Sequence, residues 1–241
     1  NMISIRILNK IGARYGQEYA ARFGFDPERN PAYLTLALGA GATNPLQMAG
    51  AYAVFANGGY RVSPYLISKV TDSDGKVLSE ARPARAGDEA NRVIDARNAF
   101  LMDSMLKDVV RYGTAAKAMA LKRTDLAGKT GTTNDSIDAW FAGYQPKVVG
   151  IAWMGYDKPR NLGARETGGG LALPIWIGYM QKALKGEPNV EREVPAGLVQ
   201  YGSDYYYAET PPGSGVETLD VGPPPAPEQQ KERDAVRNEL F

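Results

Sequence analysis

Lys129, Thr130, Gly131 and Thr132 stand in a row on a stretch whose small and β-branched residues predict a strand over 126–132, followed at once by a polar turn. A cation, two hydroxyls and a residue without a Cβ on one strand suit recognition of a peptide that ends in a carboxylate. Lys129 supplies charge, Thr130 and Thr132 supply O–H donors, and Gly131 admits a ligand backbone, which can pair with the strand if it is an edge. What the chain lacks narrows the chemistry further. No His and no Cys occur among the 241 residues, which excludes imidazole bases, thiol nucleophiles, His or Cys zinc sites and disulfides. Any reaction must run on hydroxyl, lysine, carboxylate, tyrosine or backbone groups.

Other groups read as structural or as weaker candidates. Ser73-Asp74-Gly75-Lys76 falls on a turn, where both side chains are solvated, whereas Ser104-Met105-Leu106-Lys107 puts Ser and Lys on one helical face. Trp140, Trp153 and Trp176 fall on expected strands and a helix, where burial is the default. Asp138 is placed to orient the loop after Lys129, and Glu166 in its Gly-rich loop reads as an exposed carboxylate with a general-base role as the alternative. Gly168-Gly169-Gly170 reads as a flexible loop, since no strand-turn-helix context surrounds it.

The elements that must position these groups are signalled by their ends. Ile3, Ile7, Leu8 and Ile11 lie on one helical face that Gly12 stops, so the chain reads as beginning inside an element. A second helix is expected over 16–23. Asn44-Pro45-Leu46-Gln47 offers an N-cap, a proline at the first helical position and a Gln placed to close a capping box, with the helix running to Asn57-Gly58. Alternation over 60–71, then Asp74-Gly75 and 76–78, predicts a hairpin. A helix over 95–112 ends at Gly113, and Thr114 is expected to cap a short helix after it. Strands follow over 126–132, 139–144 and 148–156, the last two joined at Gln145-Pro146-Lys147, as a three-stranded antiparallel meander. Pro174 opens a last helix, which Gly186 ends. Helices, then a meander, then a covering helix make the fold class α+β.

Charge divides the chain in two. Residues 1–186 carry 24 Lys+Arg against 16 Asp+Glu, and residues 187–241 carry 4 against 11 and half of the 16 prolines. The second part reads as a solvated acidic, Pro-rich C-terminal extension. Within it Tyr205-Tyr206-Tyr207 suits an extra strand, 228–240 suits a short helix, and Pro211-Pro212 and Pro223-Pro224-Pro225 break regular structure. The basic residues of the first part are scattered rather than aligned in a stripe with aromatics, which sets nucleic-acid binding aside. No apolar run approaches the ~20 residues that span a bilayer.

Beyond the Lys-Thr-Gly-Thr strand, a longer set of residues carries a resemblance. It includes residues 134–144, Trp153-Met154-Gly155-Tyr156-Asp157, the three glycines with Pro174-Ile175-Trp176, Leu38-Gly39-Ala40-Gly41, residues 45–52 and Phe55-Ala56-Asn57-Gly58-Gly59. In these the sequence resembles the transpeptidase domain of class A penicillin-binding proteins, of the 1A type, over most of residues 1–186. The resemblance implies the fold shared by penicillin-binding proteins and serine β-lactamases. It also implies D,D-transpeptidation of peptidoglycan stem peptides through a serine acyl-enzyme, binding of β-lactam antibiotics and no metal or organic cofactor. In that family a Ser-x-x-Lys helix supplies nucleophile and base, a Ser-x-Asn motif follows, and Lys-Thr-Gly comes last. The residue matching the Asn of the second motif is Asn1, so the nucleophile is expected upstream of Asn1, in the remainder of the polypeptide. Ser104 lies in the wrong order for that role, since no Ser-x-Asn lies between it and Lys129.

Carried over residue by residue, the resemblance has Asn1 bonding the substrate amide and Lys129 providing charge balance and proton transfer. Thr130 and Thr132 would hold the terminal carboxylate beside Gly131, and the Thr132 N–H would complete an oxyanion hole. It further implies the periplasmic face of the bacterial inner membrane, with membrane attachment only through an N-terminal anchor, and a glycosyltransferase elsewhere in a bifunctional cell-wall synthase. Two alternatives stay open at this level: a D,D-carboxypeptidase or β-lactamase-type hydrolase on the same fold, and a non-catalytic piece forming one wall of a binding cleft.

Overall fold

The computed structural model describes residues 1–164 and 166–214. The expected helix at 228–240 and the proline break at 223–225 lie outside the described residues.

Two short helices open the chain, α1 (Met2–Ile11) and α2 (Ala13–Arg22). Gly12 separates them at φ 95°, a conformation that strains any residue with a Cβ, and its N–H bonds the Leu8 carbonyl at 2.9 Å. The second helix begins three residues before its expected start, because nothing after Gly12 prevents the backbone from resuming. Helix α3 (Pro45–Ala56) starts as its sequence signals: Asn44 Oδ1 accepts from the Gln47 N–H at 2.9 Å and Pro45 takes the first turn. The capping box does not close, since the Gln47 side chain meets the Thr43 hydroxyl at 3.4 Å instead. Helix α4 (Ala96–Arg111) is capped by Asp95, which accepts from the Asn98 N–H at 2.9 Å.

The hairpin of β1 (Lys69–Thr71) and β2 (Val77–Glu80) forms around Asp72, whose carboxylate accepts the N–H groups of Asp74 and Lys76. It is shorter than the alternation from Tyr60 implies. Tyr60 makes only an isolated bridge to Arg92, and Pro64 offers no N–H to a ladder. The meander forms as expected, from β3 (Ala127–Thr132), β4 (Ala139–Gln145) and β5 (Val148–Met154), all antiparallel, with β4 central and β3 at an edge. Register sorts its faces: Thr130 stands opposite Phe141, and Lys129 opposite Ala142.

One face packs on α5 (Leu173–Ala183), where Phe141 meets Trp176 edge-on at 4.9 Å between ring centroids. Trp176 is 1% exposed and donates its Nε1–H to Gly143 O and Gly150 O, so a large apolar group is buried with its one polar atom satisfied. The other face packs on α3 and α4. Gly168–Ala172, expected as a flexible loop, is a π turn leading into α5, and Thr167 caps it by accepting from the Gly170 N–H.

Residues 187–209 are largely exposed, as their composition suggests, yet they are tied to the body. Buried Asp125 receives two hydrogen bonds from Arg123, one from the Val190 N–H and one from Gln145 Nε2, while Arg123 also donates to the carbonyls of Glu187 and Pro188. Arg192 donates to the Phe55 and Ala56 carbonyls, capping the end of α3. Farther on, Leu198–Tyr201 (β6) pairs with Asp204–Tyr207 (β7), realising the expected tyrosine strand. It lies on α4 through an edge-on Phe100–Tyr205 contact and an Arg97–Glu209 ion pair at 2.8 Å. Composition counts charges but not their partners, and here the partners lie on the body.

Candidate active site

A cleft of about 640 Å³ runs along β3. Its floor and far wall are Trp140, Ala142 and Trp153, and its near wall is the loop from Leu38 to Asn44 with the first turns of α3, including Met48 and Tyr52. The strand's alternation splits the polar groups: Lys129 and Gly131 share the face of Ala142 and Trp140, while Thr130 and Thr132 share the face of Phe141. The edge strand thus offers a cation on one side and two hydroxyls on the other.

Lys129 is exposed, and its ammonium donates to the Thr130 carbonyl at 2.9 Å and reaches Thr130 Oγ1 at 3.4 Å. Among the described residues it has no ion-pair partner. Both hydroxyls are held by a second element. Thr130 Oγ1 lies 2.7 Å from Thr114 Oγ1, and Thr132 Oγ1 accepts the Gly168 N–H at 3.0 Å. Gly168 is necessarily glycine, because a Cβ there would run into the carbonyl oxygens of Gly131 and Trp140. After the strand, Thr133 Oγ1 accepts the N–H groups of Ile137 and Asp138, and Asp138 Oδ1 accepts the Trp153 Nε1–H at 2.8 Å. Asp138 therefore orients the loop after Lys129 by tying it to the cleft wall. The Tyr52 phenol, half-buried in that wall, is pushed up to about 12 by desolvation and stays a neutral hydroxyl.

Of the residues expected in the site, Lys129, Thr130, Gly131 and Thr132 come together on the cleft. Asn1 is exposed at the start of α1, makes no side-chain cap and is not a lining residue. Glu166 does not line the cleft either. Neither Ser-x-x-Lys forms a dyad: Ser73 and Lys76 sit on the exposed turn, and Lys107 Nζ is 2.8 Å from Asp103 Oδ2. Two tryptophans expected in the core, Trp140 and Trp153, wall the cleft instead, because the face of the sheet they share is not covered by α5. Thr114 was expected as a helix cap. Ala115 occupies the capping position of the 3₁₀ turn Ala116–Leu121, leaving the Thr114 hydroxyl for Thr130. Nothing in the local sequence separates these two uses of a threonine.

Comparison with known proteins finds relatives along most of the chain. The family model described as penicillin binding protein transpeptidase domain matches residues 1–175. Penicillin-binding protein 1A of Neisseria gonorrhoeae is 49% identical over 244 residues, covering 99% of this chain and 30% of that protein. Among solved structures, penicillin-binding protein 1A from Haemophilus influenzae superposes with a TM-score of 0.76 at 36% identity, covering 83% of this chain and 35% of that one. The PonA1 protein from Mycobacterium tuberculosis in complex with penicillin V gives a TM-score of 0.59 at 28% identity, with 76% and 48% covered. The chain spans about 30% of the length of the curated relatives it matches.

Proposed function

The chain belongs to the family of penicillin-binding protein transpeptidase domains, and from that premise we propose that it forms the carboxylate-binding wall of a peptidoglycan D,D-transpeptidase. In the proposed reaction a serine attacks the carbonyl of a D-alanyl-D-alanine terminus, D-alanine leaves with a proton, and the acyl-enzyme passes to the amine of a neighbouring strand. The serine and its lysine base belong to sequence other than these 241 residues. This chain contributes Lys129 for charge balance and proton transfer, Thr130 and Thr132 for the terminal carboxylate, the Thr132 N–H for the oxyanion hole, and Asn1 for the substrate amide. On the same reading, residues 1–186 are the C-terminal part of the transpeptidase domain and 187–241 an extension to it. The protein would act at the periplasmic face of the inner membrane, and β-lactams would occupy the cleft as substrate mimics.

The observation that carries this reading is an edge strand with a cation free of acidic partners among the described residues and two hydroxyls on its other face, all lining one cleft. A carboxylate, an acceptor-only anion, suits a cation and hydroxyl donors alike. The test is to incubate the full-length protein with a labelled penicillin and map the adduct by peptide mass spectrometry. We expect one adduct, on a serine outside residues 1–241. Absence of an adduct, or an adduct on Ser104, would overturn the assignment.

A further inference from the structure

The geometry points to Thr114 as a positioning residue for the carboxylate clamp: its hydroxyl donates to Thr130 and thereby turns the Thr130 hydrogen toward the ligand. The inference rests on the transpeptidase reading above.

Thr114 is held in place from both sides. The N–H groups of Gly113 and Ala115 both bond the Val109 carbonyl, at 3.1 Å each, so the last turn of α4 grips the residues before and after it. A Cβ on Gly113 would lie 2.9 Å from Val109 Cα, and Ala115 is fully buried. The Thr114 carbonyl backs onto Gly169, where a Cβ would come within 3.0 Å of it. A side chain exposed at the surface is therefore carried on a fixed backbone, with Oγ1 2.7 Å from Thr130 Oγ1.

The contact leaves either hydroxyl as the donor, and the inferred order is the one that frees the Thr130 hydrogen for a ligand. Each hydroxyl has one hydrogen and two acceptor sites. The Lys129 ammonium, 3.4 Å from Thr130 Oγ1, can only donate. With Thr114 donating as well, both acceptor sites of Thr130 are filled, and its own hydrogen has no partner among the described residues. A carboxylate needs a donor in that position. Thr132 is treated the same way, since the Gly168 N–H fills an acceptor site on its oxygen at 3.0 Å. Both hydroxyls of the clamp are thus supplied from behind, one by a backbone N–H and one by the Thr114 side chain, which substitution can remove.

Thr114→Val keeps the shape and deletes the donor. In the full-length protein it should slow acylation by a carboxylate-bearing penicillin about 3- to 10-fold, the range of one neutral hydrogen bond, with the melting temperature unchanged. Thr114→Ser should restore the parental rate, and Thr114→Ala should repeat the loss. Two further readouts exclude a merely structural effect: the penalty should shrink on the penicillin methyl ester, and should vanish when Thr130 is already Val. An acylated parent with Thr114→Val at the parental rate overturns this role alone, as does an equal loss in the Thr130→Val background, which would make Thr114 a direct ligand contact. A parent that takes up no penicillin overturns the functional reading and this role with it.

Discussion

Two lysines of this chain show opposite uses of the same group. Lys107 on α4 lies 2.8 Å from Asp103, and that carboxylate, 2% exposed, also accepts from the Tyr144 hydroxyl at 2.9 Å and faces Arg192 at 3.7 Å. Lys129 on β3 is exposed at the cleft, with one carbonyl and one hydroxyl for neighbours. A buried charge must be matched at once by the protein, because desolvation costs several kcal/mol when it is not. An exposed charge at a cleft costs little to leave open, and is available to a ligand. The matched lysine is architecture and the exposed one is the lysine proposed to act on a ligand, although only the former sits in a Ser-x-x-Lys spacing.

The largest effect expected from this contrast is structural. Asp103→Ala leaves Lys107 and Arg192 without their shared carboxylate and Tyr144 without its acceptor, and should destabilise the domain by about 3–5 kcal/mol. Chemical denaturation of the full-length protein measures it, and the fraction that remains folded should acylate at the parental rate. A change under about 1 kcal/mol would mean the cluster is not the matched one described.

Lys129→Ala should do the reverse. We expect acylation by penicillin to slow about 10²-fold, the scale of losing one electrostatic contact to the transition state, with the melting temperature nearly unchanged because the ammonium is exposed. If the melting temperature fell as far as for Asp103→Ala, the two lysines would not differ in kind.

The smallest expected effect concerns the acidic contacts of residues 187–209. Burial alone would push the Asp125 carboxyl up, but its hydrogen bonds from Arg123, the Val190 N–H and Gln145 outweigh this and hold it below the usual range. A hydrogen bond from Lys147 lowers Glu187, and its own backbone N–H with Arg97 lowers Glu209. Carboxyls lowered by folding stabilise the folded state above the unfolded values near 4, and that stabilisation is lost as pH falls through the lower folded values. Hydrogen exchange should therefore show residues 187–209 opening below about pH 4, before the core around Trp176 does. Simultaneous opening of both would show that this segment is not held by those charges.

Local signals were legible because they act over a few residues. Gly12, Asn44-Pro45 and Asp95 each set a helix boundary through one backbone conformation or one cap, and the meander's alternation marked three antiparallel strands. The Lys-Thr-Gly-Thr strand was legible for the same reason. The 61–68 stretch was misread as strand because alternation says nothing about whether a partner strand is present. Residues 187–209 are largely exposed, as their composition suggests, but their attachment to the body was not legible: Glu187 and Glu209 pair with Lys147 and Arg97, 40 and 112 residues away in sequence, and Arg123 takes the carbonyls of Glu187 and Pro188.

By itself the sequence determined the chemistry on offer: no imidazole or thiol, and a cation with two hydroxyls on one strand. Tertiary structure decided which groups that chemistry can use. It made β3 an edge, set Trp140 and Trp153 as cleft walls, buried the Lys107–Asp103 pair of one helix against Tyr144 and Arg192 while leaving Lys129 exposed, and brought Thr114 to Thr130 across 16 residues of chain. The physical reason is one of range. Caps, turns and alternation are fixed by neighbours in the chain, whereas burial, charge matching and the direction of a hydroxyl hydrogen are fixed by neighbours in space.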